Sequence, residues 1–385
     1  MKKSIAIFTT HPIQYQTPLF KYLSQKKNID LNIFFASDQG INKKKVDTGF
    51  TKKFAWNINL LNGYKYKFIG DNDVKVSSFF LRSKNIKRII SDSNFQVIII
   101  FGWSSIFFLQ VVFWSLFYRK SLILRSESSI LEKNNLIKKI LKKIILFNFF
   151  KIFRKILYIG KNNLDFYLKY GVPRSKLIYS PYSVDNDFFS HKDDRTINKL
   201  KKKYNCQNKI IYLFSGKFIQ RKNPLFLLRV INQINLLRKK NNNFFIFIGD
   251  GLEKEKCIEY SKKNNINNVV FLGFVNQKQI VNYYSLADFL ILPSKFETWG
   301  LVVNEAMAAS TGCIVTSSVG CARDLVREGT NGFIYRSDDN KELVKIILGI
   351  KKKNVKFMKK SSFKIIKNYS IRFTSYGFLK AFKNI

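Results

Sequence analysis

Two glutamates, Glu297 and Glu305, stand eight residues apart in the stretch Pro293-Ser294-Lys295-Phe296-Glu297-Thr298-Trp299-Gly300-Leu301-Val302-Val303-Asn304-Glu305. An apolar strand ends at Pro293, and a helix is expected to begin near Gly300–Leu301. Glu297 then sits in the loop and folds over the helix start, with Glu305 further along the helix. The first N–H groups of a helix have no internal partner and point outward, which makes this a ready place for a phosphate. A carboxylate beside a diphosphate is unfavourable unless it accepts hydrogen bonds, and sugar hydroxyls supply them. Ala306, Ala308 and Ala309 keep the helix close to its sheet. A second concentration of chemistry follows another apolar strand, in the turn Gly216-Lys217-Phe218-Ile219-Gln220-Arg221-Lys222-Asn223-Pro224. Cations gathered in one turn can face an anion, although a basic turn taken alone is most often a solvated loop.

The elements that position these residues alternate. Short, nearly continuous apolar runs are expected as strands at Ile5–Thr9, Leu31–Ala36, Val97–Phe101, Leu122–Arg125 and Ile156–Ile159. A second series runs Ile210–Phe214, Phe244–Ile248, Val269–Leu272, Phe289–Leu292 and Cys313–Thr316. Helical patterns fall between them, among them Pro224–Lys239, Leu252–Lys263 and Asn276–Leu286. Strands covered on both faces and alternating with helices indicate α/β domains with parallel sheets. Two series of this size give two Rossmann-like, doubly wound domains, over 1–190 and 191–370, with a C-terminal helix over 371–385 that can cross back to the first. Ligands of such sheets bind beyond the carboxyl ends of the strands, here in a cleft between the domains.

Composition bounds the function. The chain has 385 residues, 46% of them hydrophobic, and a net charge of +43. That is too apolar for a disordered basic tail. The charge itself suggests nucleic acid or an anionic membrane. Residues 1–190, however, hold 32 basic and 11 acidic side chains, and the remainder 36 and 14, so neither half is the basic one. A nucleic-acid-binding protein, which would show a localised basic face, is disfavoured. Four cysteines without a CxxC exclude a zinc ribbon and fit a reduced, cytoplasmic chain. Val97–Tyr118 carries no charge over 22 residues, but it divides at Gly102 into a strand and a helix rather than a membrane span.

The signature around the two glutamates resembles that of retaining family-4 glycosyltransferases of the GT-B fold. It comprises Glu297, Gly300, Leu301, Glu305, Ala306, Ala308, Gly312, the strand Cys313–Thr316 and Gly320, followed by Asn331-Gly332-Phe333. The family's Gly-Arg-x-x-x-x-Lys turn is represented by Gly216, Lys217 in the arginine place and Lys222, with Arg221 adjacent. Gly249-Asp250-Gly251 and Phe271-Leu272-Gly273-Phe274 match further landmarks. The resemblance implies transfer of a hexose-type sugar from a nucleotide-diphosphate donor to a saccharide or lipid-linked acceptor, as in bacterial surface polysaccharide synthesis. It places Glu297, Lys222 and Lys217 in catalysis. Glu305 would take ribose hydroxyls, and the Gly300 and Leu301 amides the diphosphate. Thr298, Trp299, Gly216 and Arg221 would join the donor site, with Phe274 where the base rests. The nucleotide sugar is a substrate; no cofactor and no metal are implied, although Asp71-Asn72-Asp73 has the form of a DxD. A nucleotide-sugar epimerase of the same fold and an inactive scaffold are the alternatives; the paired glutamates argue against the epimerase.

In the first half, the loop His11-Pro12-Ile13-Gln14-Tyr15 resembles one subgroup of these enzymes, and His11, Gln14 and Tyr15 can all hydrogen-bond a sugar or phosphate. No histidine follows the strand at Leu122–Arg125, where many relatives have one; Arg125 and Glu127 are the substrate-contact candidates there. Lys133–Lys155 holds eight basic residues, no acid and an apolar stripe at helical spacing, which can dock a peripheral enzyme on the inner, anionic face of the cell membrane.

Overall fold

A computed structural model describes residues 2–41, 59–71, 76–131, 136–238 and 242–383; over 136–142 the helix is described without its side chains. The described chain divides into two units, one running to Tyr182 and resuming at Ile371, the other Ser183–Ser370. The division thus falls ahead of the expected boundary at 190.

The first unit contains β1 (Lys3–Thr9), α1 (Thr17–Ser24), β2 (Ile29–Phe35), β3 (Lys65–Phe68), α2 (Ile86–Ser91), β4 (Val97–Phe101), α3 (Ile106–Phe117), β5 (Ser121–Arg125), α4 (Leu136–Lys151), β6 (Lys155–Tyr158), α5 (Lys161–Lys169) and β7 (Leu177–Tyr179). Its seven strands lie in the order β3-β2-β1-β4-β5-β6-β7, all parallel. Side chains alternate across the sheet: Ala6 and Phe8 of β1 join one core with α2, α3 and α4, while Ile5 and Ile7 join the opposite core with α1. The uncharged run Val97–Tyr118 is β4, a Gly102 turn and α3. Gly102 has φ +136°, and a Cβ there would lie 2.7 Å from Phe108. Among the described residues no helix is long and apolar enough to cross a membrane.

The second unit contains α6 (Asn186–Ser190), α7 (Asp194–Lys203), β8 (Ile210–Ser215), α8 (Pro224–Leu237), β9 (Asn243–Ile248), α9 (Lys254–Lys263), β10 (Val269–Gly273), α10 (Gln277–Leu286), β11 (Phe289–Leu292), α11 (Leu301–Ala308), β12 (Gly312–Thr316), α12 (Ala322–Leu325), β13 (Gly332–Tyr335), α13 (Asn340–Gly349) and α14 (Lys352–Ile366). Its parallel six-stranded sheet has the order β10-β9-β8-β11-β12-β13. The chain winds outward from β8 to β10, then returns to start again at β11. The switch point of this doubly wound sheet therefore lies between β8 and β11, and sheets of this kind bind ligands beyond the carboxyl ends of the strands at that point. The last helix, α15 (Ile371–Lys383), packs back in the first unit, with Phe378, Ala381 and Phe382 in the core beside α1.

Three strands go beyond the sequence expectation: β3, β7 and β13. Each is an edge strand. All of β3 is exposed, its Lys-Tyr-Lys-Phe lacking the apolar run that a strand covered on both faces needs.

Candidate active site

The residues with chemistry gather at the carboxyl ends of β8, β11 and β12. Lys222 closes the turn after β8, and its aliphatic chain lies over Gly216, where a Cβ would sit 3.8 Å from Lys222 Cδ. Its Nζ lies 2.5 Å from Glu297 Oε1. Arg221 Nη1 reaches the same carboxylate, 3.2 Å from Oε2, and donates to the Phe296 carbonyl at 3.0 Å. The Arg221 carbonyl in turn accepts from the Lys295 N–H at 2.9 Å. The loops after β8 and β11 are thereby clipped together across the switch point. Glu297 is only 6% exposed. Its backbone is held from the other side, its N–H donating to Ser318 and its carbonyl accepting from Gly320 N–H. Gly320 permits this close approach, since a Cβ there would lie 1.9 Å from the Thr298 carbonyl oxygen.

Gly300 precedes α11 with φ +97°, and a Cβ would meet Val319 Cγ1 at 2.9 Å. This left-handed turn lets the helix begin at Leu301 beside the loop that carries Glu297. One buried turn of α11 further on, Glu305 Oε2 accepts a hydrogen bond from Tyr284 Oη of α10 at 2.6 Å. Tyr284 Oη also lies 3.2 Å from Ser215 Oγ at the end of β8. Burial pushes the Glu305 carboxyl up to about 7, against the lowering pull of the Tyr284 hydrogen bond and the Lys222 charge. Tyr284 and Ser215 are the site neighbours that sequence reasoning missed. Their link to Glu305 is a tertiary contact, and no local spacing announces it.

The other donor-site candidates divide. Gly216, Lys217, Thr298 and Leu301 are half-buried around these loops, and Phe274 is exposed after β10. Trp299 is 2% exposed and donates its indole N–H to Asn304 Oδ1 of α11 at 2.8 Å.

In the first unit, the loops after β1, β5 and β7 also meet at carboxyl ends. Tyr15 donates to Glu127 Oε1 at 3.3 Å, Tyr182 donates to the same oxygen, and the two rings meet edge to face at 5.4 Å. Burial first, then the Glu127 charge, pushes both phenols well above their usual range, so they stay neutral donors. His11 Nδ1 lies 3.0 Å from Thr10 Oγ1, and Gln14 is half-buried. Arg125 is 3% exposed and turned inward. Its Nη1 donates to the carbonyl and hydroxyl of Ser180 at 2.8 and 3.0 Å, and its guanidinium lies over the rings of Tyr182 and Phe378. It braces the strand ends against α15 instead of presenting its charge to solvent. Of the expected basic segment, Lys133 and the side chains of Lys138, Lys139 and Lys142 lie outside the described residues, as do Asn72 and Asp73.

Comparison with known proteins gives this geometry a set of relatives. Over the whole of both chains the fold superposes on Anabaena Alr3699/HepE, solved in complex with UDP, with a TM-score of 0.77 at 13% identity. That likeness identifies the fold as GT-B. An uncharacterised glycosyltransferase of Methanocaldococcus jannaschii is 29% identical over 200 residues, covering 49% of this chain and 54% of its own. A UDP-Gal:alpha-D-GlcNAc-diphosphoundecaprenol alpha-1,3-galactosyltransferase of Escherichia coli is 26% identical over 136 residues, 34% of each chain. The chain thus spans about half or less of the length of these curated relatives. Residues 196–368, which hold the whole Lys222–Glu297–Glu305 cluster, match the model of the family of glycosyl transferases group 1.

Proposed function

We propose that this protein is a retaining glycosyltransferase of group 1. It would move a hexose-type sugar from a nucleotide-diphosphate donor to a saccharide or lipid-linked acceptor in bacterial surface polysaccharide synthesis. The observation that carries the reading is the convergence of Lys222, Arg221 and Glu297 at the switch point, with Glu305 buried behind them. Lys222, with Lys217 and Arg221 beside it, would stabilise the charge that collects on the diphosphate as the anomeric C–O bond breaks. Glu297 would exchange its cation partners for donor-sugar hydroxyls, and Glu305 would accept from the ribose. With retention, the acceptor oxygen bonds to the anomeric carbon from the side the diphosphate leaves. Its proton passes to a diphosphate oxygen, so charge balances without a protein base.

A panel of nucleoside diphosphates and nucleotide sugars, read by thermal stabilisation and by nucleotide release, tests this. Lys222→Ala and Glu297→Gln are expected to lower turnover by about a hundredfold or more with the fold intact. If no nucleoside diphosphate stabilises the protein, the proposal fails.

A further inference from the structure

The first unit carries an apolar surface that the transferase chemistry does not use. α3, Ile106–Phe117, contains no charged side chain. Phe107, Phe108, Val111 and Val112 bury its inner side against the sheet. Its outer side is equally apolar: Leu109, Phe113, Leu116 and Phe117 recur at helical spacing, and Phe113 and Phe117 are 59% and 65% exposed. Phe79 and Phe80, paired edge to face and both exposed, lie at the amino end of this stripe, where the Phe79 carbonyl accepts from Ile106 N–H. A helix apolar all round belongs in a core or in lipid. Contiguous exposed apolar surface of this kind marks an interaction site.

The rim decides the partner. Lys84, Lys87, Arg88 and Arg119 are exposed along and beyond the stripe, and Lys87 Nζ lies 5.1 Å from the ring of half-buried Trp114. Asp92 answers Arg88 at 3.5 Å, leaving the rim basic in balance. A second copy of this chain would bring two such rims together on molecules of net charge +43, whereas an anionic headgroup layer neutralises them. At about 1.5 Å per residue, α3 is about 18 Å long, too short for a hydrocarbon core of about 30 Å, so it lies flat. α4 lines the same side of the sheet, with Leu146 and Phe150 in the shared core and Ile144, Ile145 and Lys143 exposed. We propose that the α3 face, flanked by α4, is the surface by which this enzyme docks on an anionic bilayer, with Phe113 and Phe117 entering the interface. This deepens the functional reading by presenting the first unit to lipid-borne acceptors, and it moves the anchor from the basic segment expected at Lys133–Lys155 to an uncharged helix.

Co-sedimentation with vesicles of equal parts phosphatidylcholine and phosphatidylglycerol tests it. The unaltered protein is expected to pellet with these vesicles and more weakly with phosphatidylcholine alone. Phe113→Ser with Phe117→Ser is expected to lower partitioning about a hundredfold, roughly tenfold for each ring. Lys87→Glu is expected to weaken binding only to the anionic vesicles, by about fivefold. The rings are exposed, so the double variant should keep its melting temperature and its stabilisation by nucleoside diphosphates. That second readout separates failure of this surface from failure of the transferase reading. Binding unaffected by the double substitution, or no binding by the unaltered protein, overturns the proposal. So does a concentration-dependent dimer that the double variant dissolves, which would assign the face to a second copy.

Discussion

Glu305 is the residue whose surroundings make the sharpest demand. A carboxyl raised to about 7 in the folded protein and near its ordinary value when unfolded binds more protons folded than unfolded between those limits. Its contribution to stability is therefore greatest at low pH and declines as pH rises through about 7. The shift corresponds to roughly 3 kcal/mol between the two ends of that window. Urea unfolding of the unaltered protein and Glu305→Gln at pH 5 and pH 8 should show the gap between them moving by about that amount in favour of the glutamine variant. Tyr284→Phe removes a hydrogen bond that pulls the carboxyl down, so it should carry the inflection to still higher pH. A gap that does not change with pH would mean that Glu305 titrates as an ordinary carboxyl.

Elements converge on Glu297 through backbone, and there glycine decides. Gly320 lets the loop after β12 lie against the loop after β11, its N–H bonding the Glu297 carbonyl at 3.0 Å. An added Cβ would overlap the Thr298 carbonyl oxygen, a backbone atom that cannot swing aside. Gly320→Ala should cost at least 2 to 3 kcal/mol, about the scale of overpacking a core, and should weaken nucleotide binding with it. At Gly349, which ends α13, an added methyl would meet nothing within 4 Å, and Gly349→Ala should be neutral or slightly stabilising. Equal melting temperatures for the two variants would contradict this account. The same elements show what was legible in the sequence. Strands covered on both faces, such as Ile5–Thr9 and Phe289–Leu292, read as apolar runs, and the Glu297–Glu305 spacing around Gly300 marked a strand–loop–helix unit correctly. The edge strand β3 had too little apolar character to register, and β7, Leu177–Tyr179, is only three residues long. Arg125 ends a strand, which made it a substrate-contact candidate, but its enclosure by Ser180, Tyr182 and Phe378 of α15 has no local signature, and only the fold brings Tyr284 to Glu305. Local pattern reports local geometry, and contacts made at long range leave little trace in it.

At the scale of the whole molecule, the +43 is spread over both units and explains no single site, whereas the path of the chain has a definite consequence. The chain leaves the first unit after Tyr182, builds the second, and returns with α15. That helix is tied in tightly. Ser180 Oγ donates to the Thr374 carbonyl at 2.9 Å, Thr374 Oγ1 to the Pro181 carbonyl at 2.8 Å, and Gly377 sits so close that a Cβ would come within 2.5 Å of the Tyr179 carbonyl oxygen. Phe378 and Phe382 fill the core beside α1. Losing two such rings costs about 6 kcal/mol or more, which is comparable to the whole stability of an ordinary domain at about 5–15 kcal/mol. A chain ended after Ser370 should therefore lose the first unit while the second, complete in itself over Ser183–Ser370, stays folded. Limited proteolysis should digest the first unit of that shortened chain and leave a fragment beginning near Ser183, further protected by a nucleoside diphosphate. Phe378→Ala in the full chain should lower the first unit's transition alone. If the shortened chain keeps its first unit, α15 is an appendage; if nucleotide protection disappears with the first unit, the Lys222–Glu297–Glu305 cluster does not suffice to hold the donor's nucleotide.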